Sequence, residues 1–164
     1  MTHAGPGIVG VGVDAVDVVR FRRLLDRRPS LAHRCFTASE QSDAGMSADR
    51  AQGLAARFAA KEAVMKALGS GLGAFALTDV EVTRAPGTGA TRNAPSLELR
   101  GGAAALAGER GAGRFHVSLT HTDGVAIAFV VAERAAPADA DADATPDATP
   151  EESPQQEQSL CAPS

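Results

Sequence analysis

The segment SADRAQGLAARFAAKEAVMKALGSG, residues 47–71, reads as one long helix, with Ser47 as its cap and Gly69-Ser70-Gly71 as its stop. Leu54, Phe58 and Met65 form its apolar stripe, and its length suits a core element around which a sheet can wrap. It also holds Lys61 and Lys66, the only two lysines among 16 Lys and Arg. A lysine offers a compact ammonium, suited to a phosphate as a point charge, where arginine offers a planar fork. Glu62 stands between them, about 40° from the centre of the apolar stripe. A carboxylate there needs a cation. One reading is an i,i+4 ion pair from Glu62 to Lys66. The other is a metal ligand, with lysines ready for a phosphate on the same ion.

The totals narrow the field. A chain of 164 residues with 44% hydrophobic residues is one globular domain by expectation. Six Phe and no Tyr or Trp argue against a surface built on stacked bases, so no nucleic acid is expected. Cys35 and Cys161 form neither a metal spacing nor a disulfide framework. No hydrophobic segment follows Met1, and the longest apolar run, near residues 124–132, is too short to span a bilayer. A cytoplasmic protein without membrane contact is expected. Residues 133–164 hold eight acids and one base. The other 12 acids and 15 bases give residues 1–132 a net charge of +3, against −7 for the tail. The division expected is a domain over 1–133, with its folded unit from about residue 6, and an acidic disordered tail over 134–164.

Residues 7–16, GIVGVGVDAV, alternate as a strand with a packed valine face and a second face bare of side chains until Asp14. Gly10 and Gly12 let a helix or another backbone come close. The glycines also match a dinucleotide fingerprint loosely. They fall inside the alternating run rather than after it, and no acid follows about 20 residues on, so that reading is rejected. Asp14 is then a strand-end turn residue or the start of a site. The next segment places Val18, Phe21 and Leu25 on one helical face and Arg20, Arg23 and Arg27 on another, before Pro29 stops it. The basic stripe is a solvated face or a dock for an acidic partner.

Thr37-Ala38-Ser39-Glu40 is a capping box opening a short helix. Strands follow at 77–84 and 96–100, separated by a turn-rich loop, then an Ala-rich helix at 103–109. The segment from Phe115 to Glu133 reads as two strands joined at Thr122-Asp123-Gly124, a hairpin signal. His121 ends the first of them, as a turn hydrogen-bonder or as a catalytic group.

Three of these stretches occur together: GVGVDAVDVVRF, then RFAAKEAVMKALGSGLG, then HVSLTHT before an apolar strand. In order and spacing they resemble the holo-acyl-carrier-protein synthases, the small class of 4′-phosphopantetheinyl transferases, over about residues 6–133. The departures are the acidic tail and Thr at Thr120. The resemblance implies an α+β fold with a small, mostly antiparallel sheet around the long helix. It implies transfer of 4′-phosphopantetheine from coenzyme A to a serine of an apo acyl carrier protein, as in fatty acid biosynthesis, with release of adenosine 3′,5′-bisphosphate.

It further implies Mg²⁺ on Asp14 and Glu62, since that ion takes one or two carboxylates plus phosphate oxygens. Lys66 would reach the pyrophosphate, with Arg57 and Lys61 on other phosphates or the carrier. Ser118, Thr120 and His121 would line the nucleotide site. Glu62, Lys66 and His121 are the expected catalytic groups, and Arg20, Arg23 and Arg27 the expected carrier dock. The larger class of these enzymes carries two such halves in one chain, and the resemblance implies that this single unit works as a homotrimer, with sites between subunits. Two rivals stand beside it. One is a hydrolase using Ser118 or Thr120 with His121, which lacks a nucleophile elbow. The other is a non-catalytic binding module, which leaves Asp14 and Glu62 unexplained.

Overall fold

In a computed structural model the described residues are 7–84 and 94–135. Most of the loop after Arg84, and the tail beyond residue 135, lie outside them. The order is β1 (Ile8–Asp17), α1 (Val18–Arg27), α2 (Ser30–Cys35), α3 (Ala38–Gly45), α4 (Arg50–Ala67), a 3-10 turn (Leu77–Asp79), β2 (Val80–Arg84), β3 (Pro95–Leu99), α5 (Gly101–Glu109), β4 (Ala112–His121) and β5 (Val125–Arg134). A three-stranded sheet runs β1-β5-β4 and a two-stranded one pairs β2 with β3, every pairing antiparallel. The fold is α+β, with α4 at its centre.

Small residues let helix and sheet approach closely. Ala59, Ala60 and Ala63 of α4 and Ala126, Ala128, Val130 and Ala132 of β5 are all fully buried. Nearest of all is β1. A Cβ on Gly10 would lie 1.9 Å from the Ala67 carbonyl oxygen, and one on Gly12 1.8 Å from that of Ala63. Only glycine fits there. The glycine face is therefore the packed one, and Val11 and Val13, expected inside, are 49% and 51% exposed. Alternation marked two faces correctly, but side-chain size alone pointed to the wrong one.

Local signals set most boundaries. Asp17 caps α1, accepting from the Arg20 amide at 2.7 Å, and the helix ends before Pro29. Thr37 and Glu40 form the capping box of α3. Asp49, not Ser47, caps α4 by accepting from the Ala51 and Gln52 amides. The Ser47 hydroxyl turns back to the Ala44 carbonyl. The strand expected from residue 77 starts at Val80, because Leu77–Asp79 forms the 3-10 turn and the Asp79 carboxylate accepts from the Gly102 amide at 3.0 Å. The hairpin closes through Thr122, whose amide donates to the Val125 carbonyl at 2.8 Å. No helix among the described residues is long and apolar enough to cross a membrane.

Candidate active site

Asp14 follows Gly10 and Gly12 on the same face of β1, just past the place where α4 crosses the strand. Lys66 meets it there, donating to Asp14 Oδ1 at 2.8 Å and to the Val13 carbonyl at 2.8 Å. Glu62 lies one turn earlier on α4. The i,i+4 pair with Lys66 is not formed, and Glu62 has no hydrogen bond or ion pair among the described residues. Burial raises the pKa of its carboxyl, and the Asp14 charge adds to this, while Lys66 opposes them. The ammonium thus touches one of the two carboxylates and leaves the other without a direct partner among the described residues.

Both open into a groove of about 1010 Å³ between β1, α1 and α4. Arg20, Arg23 and Arg27 line one side and Phe58 and Leu72 another. Val18, Phe21 and Leu25 anchor α1 in the core, so its arginine stripe borders the carboxylates.

The donor set suits Mg²⁺, which needs one or two protein carboxylates when phosphate oxygens and waters complete its shell. Asp14 and Glu62 come from separate elements and lack enough cations of their own. The described residues contain no cluster of three or more His, Cys, Asp or Glu that would form an all-protein site.

Arg57 and His121 belong to a second pocket, of about 270 Å³, where α4 meets β2 and the end of β4. Arg57 is 8% exposed. Its guanidinium donates to the Gly53 carbonyl at 3.1 Å and lies 3.5 Å from Asp43, and its buried Nε has no partner among the described residues. Burial lowers its pKa and Asp43 opposes the shift. Arg84 lines the same pocket. Gln52 donates to the Thr122 carbonyl at 2.9 Å, tying the hairpin beside His121 to α4.

The remaining expected residues lie elsewhere. Ser118 and Thr120 alternate with Leu119 and His121, so they lie on the opposite, outer face of β4 and are exposed. This removes the hydrolase constellation within one chain. Lys61 reaches neither cavity. It is fully buried, donating to Glu40 Oε2 at 2.7 Å and to the Leu77 carbonyl at 3.0 Å. The other Glu40 oxygen accepts from the Val82 amide at 3.0 Å. Sequence reading gave Glu40 a capping role and missed the buried counter-ion, although a lysine on a helix buried nearly all round signals the need for one. Arg84, ending β2, carried no signal.

Residues 10–130 match the sequence model of the 4′-phosphopantetheinyl transferase superfamily, from Gly10 of β1 to Val130 of β5.

The chain belongs to this superfamily.

Within it, the relatives are holo-acyl-carrier-protein synthases. The chain is 48% identical over 127 residues to the holo-[acyl-carrier-protein] synthase of Beutenbergia cavernae, covering 77% of this chain and 99% of that one. The crystal structure of the Neisseria meningitidis synthase superposes with a TM-score of 0.66 at 30% identity, over 77% of this chain and 98% of that one. A Bacillus anthracis synthase in complex with CoA (3′,5′-ADP) gives a TM-score of 0.61 at 30% identity, over 78% and 98%. The span matched by the superfamily contains Asp14, Glu62, Lys66, Arg57 and His121.

Proposed function

We propose that this phosphopantetheinyl transferase carries 4′-phosphopantetheine from coenzyme A to a serine of an apo acyl carrier protein and releases adenosine 3′,5′-bisphosphate. The observation that carries the reading is the Asp14–Glu62–Lys66 group at the mouth of an arginine-lined groove. Asp14 and Glu62 would hold Mg²⁺, which when bound neutralises charge developing on the phosphate oxygens. Lys66 would reach the pyrophosphate with its ammonium. The Glu62 carboxylate would orient the water through which the serine proton leaves. Arg57, with His121 beside it, offers a buried cation for a further phosphate of the nucleotide. Arg20, Arg23 and Arg27 would dock the acidic carrier. Lys61 is assigned a structural role, since its three-element contact leaves it no access to ligand.

The working unit is a cytoplasmic homotrimer with sites between subunits. Supporting this, Val11, Val13, Ile127 and Phe129 form an exposed apolar patch on the outer face of the sheet, beside Ser118 and Thr120. The direct test is mass spectrometry of an apo carrier protein incubated with coenzyme A, Mg²⁺ and this protein. A gain of one phosphopantetheine per carrier is expected, and an unmodified carrier would overturn the reading.

A further inference from the structure

Asp14 and Lys66 differ in how firmly they are held. The Asp14 side chain is 17% exposed, against 50% for Lys66. The carboxylate is largely covered where β1 meets α4, while the lysine side chain that reaches it is half exposed. Lys66 is anchored there by Asp14 Oδ1 and the Val13 carbonyl. Glu62, one turn away, has no cation of its own among the described residues. Together the three groups carry −1, which attracts a cation. A divalent ion on both carboxylates would bring them to +1, with Lys66 still touching one of its ligands. An ammonium and a divalent ion that close repel strongly in a partly buried site.

We propose that Lys66 and the divalent cation exchange at Asp14: the ammonium holds the carboxylate until the metal takes it, and the released ammonium turns to the phosphate. This rests on the reading of Asp14 and Glu62 as metal ligands. No bond other than hydrogen bonds and ion contacts is made or broken. Metal alone must displace Lys66, whereas metal arriving with a pyrophosphate gives Lys66 a new partner. Linkage is reciprocal, so metal and anion strengthen each other's binding by the same factor. Lys66 is thus a positioning residue for the metal as well as a phosphate contact.

The composition offers a direct assay, because the chain contains only two lysines. Lysine labelled with ¹³C and ¹⁵N gives two Nζ signals, read through their Hε protons, and Lys61 in its buried pair is the internal reference. Adding Mg²⁺ should move the Lys66 signal to the position of a solvent-exposed ammonium and leave Lys61 in place. By electron paramagnetic resonance, Lys66→Met should bind Mn²⁺ roughly two- to fivefold more tightly than wild type, the scale of a partly exposed ion pair. The mutual strengthening of Mn²⁺ and inorganic pyrophosphate should also fall in that variant. Asp14→Asn should remove the saturable Mn²⁺ site. If Mn²⁺ needs Asp14 but the Lys66 signal stays fixed, the exchange is wrong and the metal reading stands. Unchanged or weaker Mn²⁺ binding in Lys66→Met also overturns the exchange. If Asp14→Asn leaves Mn²⁺ binding intact, the metal reading fails and the exchange with it. The wild-type measurement needs no variant to fold.

Discussion

Burial, and then the charge of Asp14, raise the proton affinity of Glu62, with Lys66 opposing them. Between the ordinary glutamate pKa and the raised value, the folded state binds more protons than the unfolded one. Stability therefore falls as pH rises through that window and stays reduced above it. Glu62→Gln removes the penalty, so without divalent cations it should melt higher than wild type at neutral pH and no higher at a pH below the glutamate range. Mg²⁺ should raise the wild-type melting temperature more than that of the variant. Calorimetry across pH, with and without Mg²⁺, checks both, and a variant that melts lower at neutral pH would contradict the assignment. Lys61 predicts the opposite sign. Lys61→Met leaves the Glu40 carboxylate buried without its cation, a change worth about 3–5 kcal/mol of stability. Replacing both partners, as Glu40→Leu with Lys61→Met, should recover part of that loss, which denaturant unfolding would measure. The two lysines illustrate what sequence conveys. Their scarcity marked the helix as functional ground, yet the resemblance put Lys61 on a phosphate or the carrier beside Lys66 on the pyrophosphate. Only the tertiary position of Glu40 on α3 separates the structural one from Lys66.

Among the elements, those with strong local chemistry were legible and those decided by packing were not. The α1 stripe, the α3 capping box, the glycine stop after α4 and the Thr122 hairpin all lie where periodicity and turn residues place them. The start of β2 and the six-residue α2 were missed, the first because the Asp79 carboxylate is drawn to the N-terminus of α5. The valine side of β1 was expected inside, but α4 backbone packs on the glycine side, the close approach that Gly10 and Gly12 allow. The α1 stripe carries its own prediction. Arg20, Arg23 and Arg27 line the groove while Phe21 and Leu25 stay in the core. Arg23→Glu should raise the KM for carrier roughly tenfold at low salt and leave that for coenzyme A nearly unchanged. The defect should shrink at high ionic strength, where the wild-type attraction is already screened. Kinetics with each substrate varied would settle it, and a loss confined to coenzyme A would move the arginines to the nucleotide site.

At the scale of the molecule, the proposed trimer would use the outer face of the β1-β5-β4 sheet. Register aligns Val13 with Phe129 and Ser118, and Ala15 with Ile127 and Thr120, so an apolar band on β1 and β5 runs into hydroxyls on β4. Phe129 is 43% exposed in a single chain, and a patch of this kind marks an interaction surface. Within that chain Ser118 and Thr120 face away from the pocket of Arg57 and His121. If they contact the nucleotide, they do so in a neighbouring copy's site. Two consequences follow. Phe129→Lys should shift the protein to monomer in sedimentation and lower activity more than melting temperature. Asp14→Asn and a Ser118→Asp, Thr120→Asp double variant should each be inactive alone, since in the proposed trimer each would spoil every site. After unfolding and refolding together, some sites of the mixed trimers would combine an intact Asp14 with intact hydroxyls from the neighbour, and activity should return. A mixture that sediments as trimer yet stays inactive would place the whole site within one subunit.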